Sequence, residues 1–113
     1  MHELAVTQSM LELVLSEAGK VKARKVTKIN LVIGDMTGVI PDYVSFYFDF
    51  ISKGTVAEGA GVNFTRKPTK ARCPSCSKEF AVSGLNWVCP GCAGTQLQIV
   101  SGDELQLESI EVE

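Results

Sequence analysis

The chain has 113 residues and a formal net charge of -2, from 11 Lys and Arg against 13 Asp and Glu. This length suits one domain with a small appendage, and the acidic balance argues against a protein that wraps nucleic acid. No apolar run approaches the roughly 18 residues that a membrane helix needs. The N-terminus reads Met1-His2-Glu3 without a secretory signal, so we expect a cytoplasmic protein with no membrane partner.

The first half of the chain predicts a helix, a strand and a second helix. Apolar residues recur at helical spacing over Leu4–Ala18, and Gly19 marks a stop. Residues Val26–Ile33 alternate between apolar and polar side chains, as a half-buried strand does. After a loop with two glycines, Pro41 fits the first turn of a helix that continues to about Lys53.

The second helix carries two apolar stripes. They consist of Val44, Tyr47, Phe48 and Ile51 on one side, and of Tyr43, Phe46 and Phe50 on another. Two stripes indicate a helix that is covered on more than one side. We expect the protein core to cover both stripes, and a contact with a partner or a second copy is the alternative.

The four cysteines form two C-x2-C pairs, Cys73 with Cys76 and Cys89 with Cys92. A two-residue gap lets both thiolates of a tight turn face one ion, and two such pairs are typical of a structural zinc site. A rubredoxin-type iron centre is the main alternative, since four thiolates also suit iron. Disulfides or a thioredoxin-like redox motif fit this spacing and this N-terminus less well.

The segment between the first and last cysteine has few large apolar side chains to bury. They are Phe80, Val82, Leu85, Trp87 and Val88. Their burial offsets only part of the conformational entropy that is lost when the segment becomes ordered. We therefore expect the metal to supply much of the folding free energy of this segment, and its removal to unfold the segment first.

Three further segments have the pattern of strands. Residues Val62–Thr65 alternate and end before Pro68, and Gln96–Val100 is a short candidate that leads to a hinge at Gly102. The last strand begins at Leu105. Its later apolar residues, Ile110 and Val112, are out of phase with Leu105 and Leu107, which predicts a bulge near Glu108–Ser109.

These elements predict an α+β fold. Two helices pack on one face of a three-stranded sheet, and a four-cysteine zinc ribbon is inserted between the second and third strands of that sheet. Residues 1–69 and 103–113 then form an α/β domain, and residues 70–102 form the ribbon domain.

The N-terminus offers a second, chemically different metal site. His2 is the only histidine, and it adds its imidazole and amide nitrogens to the α-amine of Met1. The amide or carboxylate of Glu3, or a separate group, would complete four ligands. Planar nitrogen ligands suit Ni(II) or Cu(II), although an exposed terminal histidine is also compatible with no metal binding at all.

Several motifs together resemble one known family over essentially the whole chain. They are the start Met1-His2-Glu3-Leu4, the stretch from Ile33 to Val39, the paired Cys-Pro-x-Cys turns, and the ending from Asp103 to Glu113. In this combination and order the sequence is similar to the HypA/HybF family. These proteins are nickel metallochaperones for the maturation of hydrogenase and, in some bacteria, of urease.

The resemblance implies two metals and several partners. Ni(II) is the transferred cargo, bound at His2 with Met1 and Glu3, and Zn(II) is structural. The implied zinc ligands are Cys73, Cys76, Cys89 and Cys92. The implied partners are a HypB-type GTPase and the large subunit of a nickel–iron hydrogenase, with urease maturation proteins as further candidates; we expect a monomer or weak dimer.

One departure from the family leaves the nickel ligand set open. Some family members bring a second histidine to nickel from the zinc domain, and this chain has none. The fourth ligand must then come from Glu3, from another carboxylate such as Asp35 or Asp42, from water, or from a partner protein. As aspartates in a loop and in a first helical turn, Asp35 and Asp42 also have ordinary structural explanations.

Two other functions compete with the metallochaperone. A zinc-ribbon module that binds protein or nucleic acid without transferring nickel would use the basic stretches Lys20–Lys25 and Arg66–Arg72, but the acidic balance argues against nucleic acid. An enzyme would need a nucleophile, a base and a stabilising group together. The sequence lacks that combination, and a closed four-thiolate zinc site leaves no open position for water, so we do not expect an enzyme.

Overall fold

The computed structural model of the protein describes residues 3–82 and 87–113. Their elements are α1 (Glu3–Lys20), β1 (Val26–Gly34), a 3-10 turn (Asp35–Thr37), α2 (Pro41–Ile51), β2 (Gly61–Lys67), β3 (Lys70–Arg72), β4 (Glu79–Ala81), β5 (Gln98–Ser101) and β6 (Leu105–Val112). None of the described helices is long and apolar enough to cross a bilayer.

The larger sheet has the strand order β2-β1-β6. Central strand β1 pairs parallel with β2 and antiparallel with β6, and α2 lies in the connection that a parallel pair requires. Asn30 pairs with Ser109 while Leu31 pairs with Leu107, so Glu108 is an extra residue in β6. The bulge predicted near Glu108–Ser109 is therefore confirmed.

The main core lies between this sheet and the two helices. Its fully buried side chains include Val14 of α1, Ile29 of β1 and Phe48 of α2. Helix α1 begins close to its predicted start and ends one residue beyond Gly19. Leu4 was predicted to lie on the apolar face of α1, but its side chain is exposed. The buried residues of this helix begin at Thr7.

Only one of the two apolar stripes of α2 faces the core. Val44 and Phe48 are buried, whereas Tyr43, Phe46 and Phe50 are exposed. The prediction that the core covers both stripes is wrong for the second one. The sheet and α1 together form a single packing surface, and a helix on the outside of a two-layer fold buries only the side that faces this surface.

The segment between β2 and β6 contains the smaller sheet, of order β4-β3-β5, in which β3 pairs antiparallel with both neighbours. An inserted unit with its own strands was expected at this position. Among the described residues of the segment, the buried side chains are Thr69, Ala71, Cys73 and Cys89. The large apolar side chains that the structure describes here are half-buried or exposed, and Leu85 lies outside the described residues.

Two connections join the sheets, one from β2 to β3 and one from β5 to β6, and they lie against each other at Thr69 and Gly102. Gly102 is buried and has φ +110°, and a Cβ atom on it would lie 2.6 Å from the Cα of Thr69. A Cβ on Gly34, at the end of β1, would overlap the carbonyl group of Gly102. At the predicted hinge the backbone of Gly102 thus packs closely against Thr69 and against Gly34, which requires glycine at positions 34 and 102.

Candidate metal centres

The four cysteine sulfurs converge on one point. All four Sγ atoms lie within 4.8 Å of one another. The distance is 3.4 Å between the sulfurs of Cys73 and Cys92, and 3.6 Å between those of Cys76 and Cys89. Zinc–sulfur bonds of about 2.3 Å in a tetrahedron place sulfurs about 3.8 Å apart. The cluster is therefore preformed close to the size that zinc requires.

Both cysteine pairs are built on the same backbone turn. The N–H of Ser77 donates to the carbonyl oxygen of Cys73 at 2.7 Å, and the N–H of Ala93 donates to that of Cys89 at 2.8 Å. Ser77 and Ala93 share a left-handed conformation, with φ of 60° and 61°. Each turn thus reverses the chain directly after its second cysteine, which brings both thiols of the pair to the same side.

Glycines allow the backbone to approach the sulfurs of the second turn. The N–H of Gly91 donates to the Sγ of Cys89 at 3.4 Å. A Cβ on Gly94 would lie 3.3 Å from the Sγ of Cys92 and 3.4 Å from that of Cys73. A side chain at position 94 would therefore crowd two of the four sulfurs.

The thiols of the cluster differ strongly in acidity. A hydrogen bond from the backbone N–H of Cys76 lowers the pKa of the Cys73 thiol to about 6. The backbone N–H of Gly94 also favours the thiolate of Cys92, but hydrogen bonding with Cys73 and Cys89 outweighs it and raises the pKa of Cys92 to about 12. Without metal at neutral pH, the cluster therefore holds thiolate and thiol side by side.

The donor set fits a structural metal. Among the described residues, only cysteines contribute to the cluster, and four thiolates form a closed tetrahedral site for zinc. Cys73 and Cys89 are buried while Cys76 and Cys92 are exposed, so the metal would lie at the boundary between the small core and solvent. Bound zinc would supply cross-links that the thin core of this segment lacks.

Of the residues expected to bind nickel, Met1 and His2 lie outside the described residues, and Glu3 begins α1. The Glu3 carbonyl oxygen accepts a hydrogen bond from the Thr7 hydroxyl at 2.6 Å. Its carboxylate Oε2 accepts one from the backbone N–H of Ile40 at 3.4 Å. The residue that follows His2 is thus attached at two points, one of them at the start of α2.

The bond between Glu3 and Ile40 was not foreseen from the sequence. Ile40 is the N-cap of α2, and a glutamate at the third helical position often accepts the N–H of such a residue. That position holds Tyr43, which has no carboxylate, so the N–H needs an acceptor from elsewhere. The missing acceptor for the Ile40 N–H was therefore visible in the sequence, but the sequence did not indicate which residue would accept this hydrogen bond.

The other charged candidates have structural explanations. Asp35 accepts a hydrogen bond from Arg66 at 3.4 Å, and Arg72 pairs with Glu79 at 3.1 Å. Asp42 is exposed in the first turn of α2, where a negative charge is favourable. The two ion pairs also reduce the free positive charge that nucleic-acid binding by Arg66–Arg72 would use.

A small α+β fold with a closed thiolate cluster defines a class: metal-binding proteins that use zinc for structure and not for catalysis. Residues 1–112 match the family model described as HypA, hydrogenase/urease nickel incorporation, metallochaperone. The chain therefore belongs to the HypA family. A metallochaperone carries a metal and catalyses no reaction, so the protein is a maturation factor and not an enzyme.

Individual relatives agree with this family over at least 95% of their length. The chain is 42% identical to the hydrogenase maturation factor HypA of Dehalococcoides mccartyi over 113 residues, covering all of this chain and 95% of the relative. It is 41% identical to the factor of the same name from Geobacter metallireducens, with both chains fully covered. The resemblance to this family that the sequence motifs indicated is confirmed.

Solved structures agree as well. The solution structure of the nickel metallochaperone HypA from Helicobacter pylori is similar with a TM-score of 0.71 and 25% identity, over 99% of this chain and 97% of that one. A second solution structure of a HypA protein gives a TM-score of 0.76 over 100% and 97% of the two chains. The α+β prediction, with two helices and a four-cysteine insert, is confirmed.

Proposed function

We propose that this chain binds Ni(II) through Met1, His2 and Glu3 and delivers it during maturation of a nickel–iron hydrogenase. Its four cysteines, Cys73, Cys76, Cys89 and Cys92, hold structural Zn(II). The observation that carries the proposal is the match of residues 1–112 to metallochaperones for nickel incorporation. The cysteine geometry adds a zinc-sized site that is separate from the N-terminus.

The proposed nickel ligands are mainly nitrogens. The α-amine of Met1 and the amide and imidazole nitrogens of His2 supply three, and their planar arrangement suits Ni(II). The Glu3 carboxylate already accepts a hydrogen bond from Ile40, whereas the first N–H groups of a helix such as α1 have no intrahelical acceptor. We therefore favour the Glu3 amide nitrogen over its carboxylate as the fourth ligand.

Nickel binding at such a site depends on pH because its ligands must lose protons before they bind the metal. The amine, amide and imidazole groups release these protons to the solvent, so nickel affinity should fall as the pH falls. The same ligands bind Cu(II) more tightly than Ni(II). Selectivity for nickel therefore depends on metal availability or on docking to partners.

The partners we propose are a HypB-type GTPase and the large subunit of a hydrogenase, with urease maturation proteins as further candidates. Support comes from the relatives named as hydrogenase maturation factors and from the mention of urease in the family description.

We also propose a cytoplasmic location for the protein. We further propose that it divides into a nickel domain, residues 1–69 and 103–113, and a zinc domain, residues 70–102. The strands of the larger sheet all belong to the first of these ranges, and the strands of the smaller sheet all belong to the second.

Metal analysis of the untagged, zinc-loaded protein tests the nickel site directly. We expect His2→Ala to abolish nickel binding in equilibrium dialysis while zinc content and circular dichroism stay unchanged. Glu17→Ala, which removes an exposed carboxylate elsewhere on α1, should bind nickel as the wild type does. Stoichiometric nickel in His2→Ala would refute the assignment.

Delivery needs its own assay. Nickel-loaded protein is expected to restore hydrogenase activity in an extract from cells that lack their own HypA protein, at a nickel concentration where the free salt does not. His2→Ala should fail in the same extract. Equal restoration by the variant and by the wild type would leave the chain as a zinc-stabilised interaction module without nickel transfer.

A further inference from the structure

Strand β6 forms an open edge of the larger sheet. Within the described residues it pairs with β1 alone. The N–H of Gly34, in β1, donates to the carbonyl oxygen of Glu104 at 2.7 Å, and residues of an antiparallel pair alternate between facing the partner strand and facing away. Gln106 therefore directs its N–H and C=O groups towards β1, whereas Leu105 and Leu107 direct theirs outward. Such outward groups can pair with a further strand.

An apolar cavity of about 350 Å³ opens beside this edge, and cavities of about 300–1,000 Å³ are the usual size of ligand sites. Its exposed lining includes Ala5, Ser9 and Leu13 of α1 and Leu105 of β6. Leu13 is 48% exposed and Leu105 is 39% exposed, so the mouth of the cavity lies between α1 and β6. We call this mouth, together with the outward backbone of Leu105 and Leu107, the β6 groove.

The open edge and the cavity are placed to contact the same strand. Leu105 and Leu107 both line the cavity with their side chains, and residues directly opposite each other on neighbouring strands point to the same side of a sheet. A strand that paired antiparallel with Leu105 and Leu107 would therefore place its two opposite side chains in the β6 groove. The side chain between these two would lie beside Gln106, on the other face of the sheet. This geometry fits an extended segment with an apolar residue at every second position.

Both walls of the β6 groove belong to acidic segments. Residues 3–19, in α1, contain three of the 13 Asp and Glu residues, and residues 103–113 contain five; neither range contains Lys or Arg. Glu12, three residues after Ser9 on α1, is exposed, and so is Glu108 in β6. None of the ion pairs between described side chains includes Glu12 or Glu108. The groove therefore attracts a basic segment and repels a second copy of the same acidic surface.

We propose that the β6 groove binds an extended basic segment of a different protein, which adds an antiparallel strand to β6. In this mode of recognition the main-chain hydrogen bonds provide affinity, and alternate side chains in pockets provide specificity. The bulge at Glu108 ends the regular part of the edge, so the contact is short. Since small interfaces bind weakly, we expect a dissociation constant between about 10 µM and 1 mM. This inference goes beyond the proposed function, because it involves neither the nickel ligands nor the cysteines.

A synthetic peptide of four valine–lysine repeats, blocked at both ends, is the probe for this site. Calorimetric titration of the full-length, zinc-loaded and nickel-free protein should show one peptide per chain, with an affinity that falls as salt is added. N-methylation of the valines removes the N–H groups that face β6 and should abolish binding. N-methylation of the lysines removes only outward N–H groups and should leave binding nearly unchanged. A valine–glutamate peptide of the same length should not bind.

Substitutions in the protein locate the site on its surface. Leu13→Gln removes apolar surface from the wall of the β6 groove and should weaken peptide binding about tenfold. Val21→Gln, at an apolar side chain that is 63% exposed outside the groove, is the matched control. Glu108→Lys should also weaken binding, whereas Asp49→Lys, which changes an exposed carboxylate on α2, should not. Zinc content and circular dichroism confirm that each variant is folded.

Amide hydrogen exchange reports on the strand edge itself. Bound valine–lysine peptide should slow the exchange of the Leu105 and Leu107 N–H groups far more than that of Gln106, which faces β1. The proposal would be overturned by absence of peptide binding up to about 1 mM or by unchanged exchange at Leu105 and Leu107. Equal binding of the valine–lysine and valine–glutamate peptides, or equal affinities of Leu13→Gln and Val21→Gln, would also overturn it.

Discussion

The carboxylate of Glu3 and the backbone N–H of Ile40 are joined by a hydrogen bond of 3.4 Å, although 37 residues separate them in sequence. This bond links the segment that follows Met1 and His2 to the first turn of α2. A ligand set at the chain terminus loses less entropy on binding a metal when its base is already held in place. At the proposed nickel site, the contact would therefore raise nickel affinity without requiring the carboxylate to touch nickel.

Replacing Glu3 tests this anchoring role. Glu3→Ala removes the acceptor, and we expect nickel affinity to fall by less than tenfold, because a hydrogen bond of this kind contributes about 1 kcal/mol. Glu3→Gln keeps an acceptor oxygen and should bind nickel nearly as the wild type does. Calorimetric titration with nickel gives both values. A loss of more than a hundredfold in both variants would instead identify the carboxylate as a direct ligand.

Removing the metal from the cysteine cluster should unfold its segment before the rest of the protein. The large apolar side chains that the structure describes in this segment are at best half-buried, so their packing contributes little to its stability. We expect a strong chelator to change the fluorescence of Trp87 while most of the helical circular dichroism remains. Unchanged fluorescence after complete metal removal would contradict this order of unfolding.

Single substitutions in the first cysteine turn test whether zinc binding depends on the cysteine sulfurs themselves or on other side chains of the turn. Cys73→Ala should reduce zinc content well below one per chain, since three thiolates leave the site open. Ser75→Ala, in the same turn, keeps all four sulfurs and should retain full zinc occupancy. Elemental analysis after dialysis against trace zinc provides the measurement. Equal zinc content in both variants would rule out the four-thiolate site.

The acidities of the thiols predict how zinc binding depends on pH. Hydrogen bonding from Cys76 lowers the pKa of Cys73 to about 6, while interactions with Cys73 and Cys89 help to raise the pKa of Cys92 to about 12. At pH 7.5 zinc must displace the proton of Cys92 but not that of Cys73. Below pH 6 it must displace both, so binding should release more protons and become weaker.

Calorimetry in buffers of different ionisation enthalpy counts these protons. The number released per zinc should rise as the pH is lowered from 7.5 to 5.5, and the apparent affinity should fall over the same range. Ser75→Ala, which keeps all four sulfurs, should show the same increase as the wild type. A proton count that does not change with pH in the wild type would contradict the lowered pKa of Cys73.

The close packing at Gly102 predicts a position that is sensitive to any side chain. Gly102→Ala adds a Cβ that would lie 2.6 Å from the Cα of Thr69, in a backbone conformation that already disfavours side chains. We expect a loss of more than about 2 kcal/mol in the free energy of unfolding, since the conformation alone costs about 1–2 kcal/mol. Urea denaturation of the zinc-loaded protein measures it.

Gly54 provides the matched control for this substitution. Its φ is +81°, but a Cβ there would meet nothing within 4 Å. Gly54→Ala should therefore show the conformational cost without the steric one, about 1–2 kcal/mol. If both variants were equally stable, the close approach between Gly102 and Thr69 would not matter energetically.

The features that the sequence predicted are those set by local chemistry. The start of α2 follows from the fixed φ of Pro41, and the bulge at Glu108 follows from a change of phase in the apolar residues of β6. The convergence of the cysteine sulfurs follows from the two short turns. Each of these features has a signal among residues that are close together in the sequence, although the bulge and the meeting of the two cysteine turns are completed by contacts between separate segments.

The features that it missed depend on tertiary contacts. Both stripes of α2 are apolar at helical spacing, so nothing local indicates that Phe48 faces the core and Phe46 faces outward. The bond between Glu3 and Ile40 joins residues from two helices. Gly102 was predicted as a hinge, and only its packing against Thr69 reveals why glycine is required there.

The position of β6 in the chain has a consequence for protein synthesis. This strand pairs with β1, but it follows all four cysteines in the sequence, so the ribosome makes it after them. Until then one edge of β1 stays open, and unpaired strand edges promote association with other chains. Cells that are short of zinc during translation should therefore accumulate insoluble forms of this protein, even though no cysteine belongs to the larger sheet.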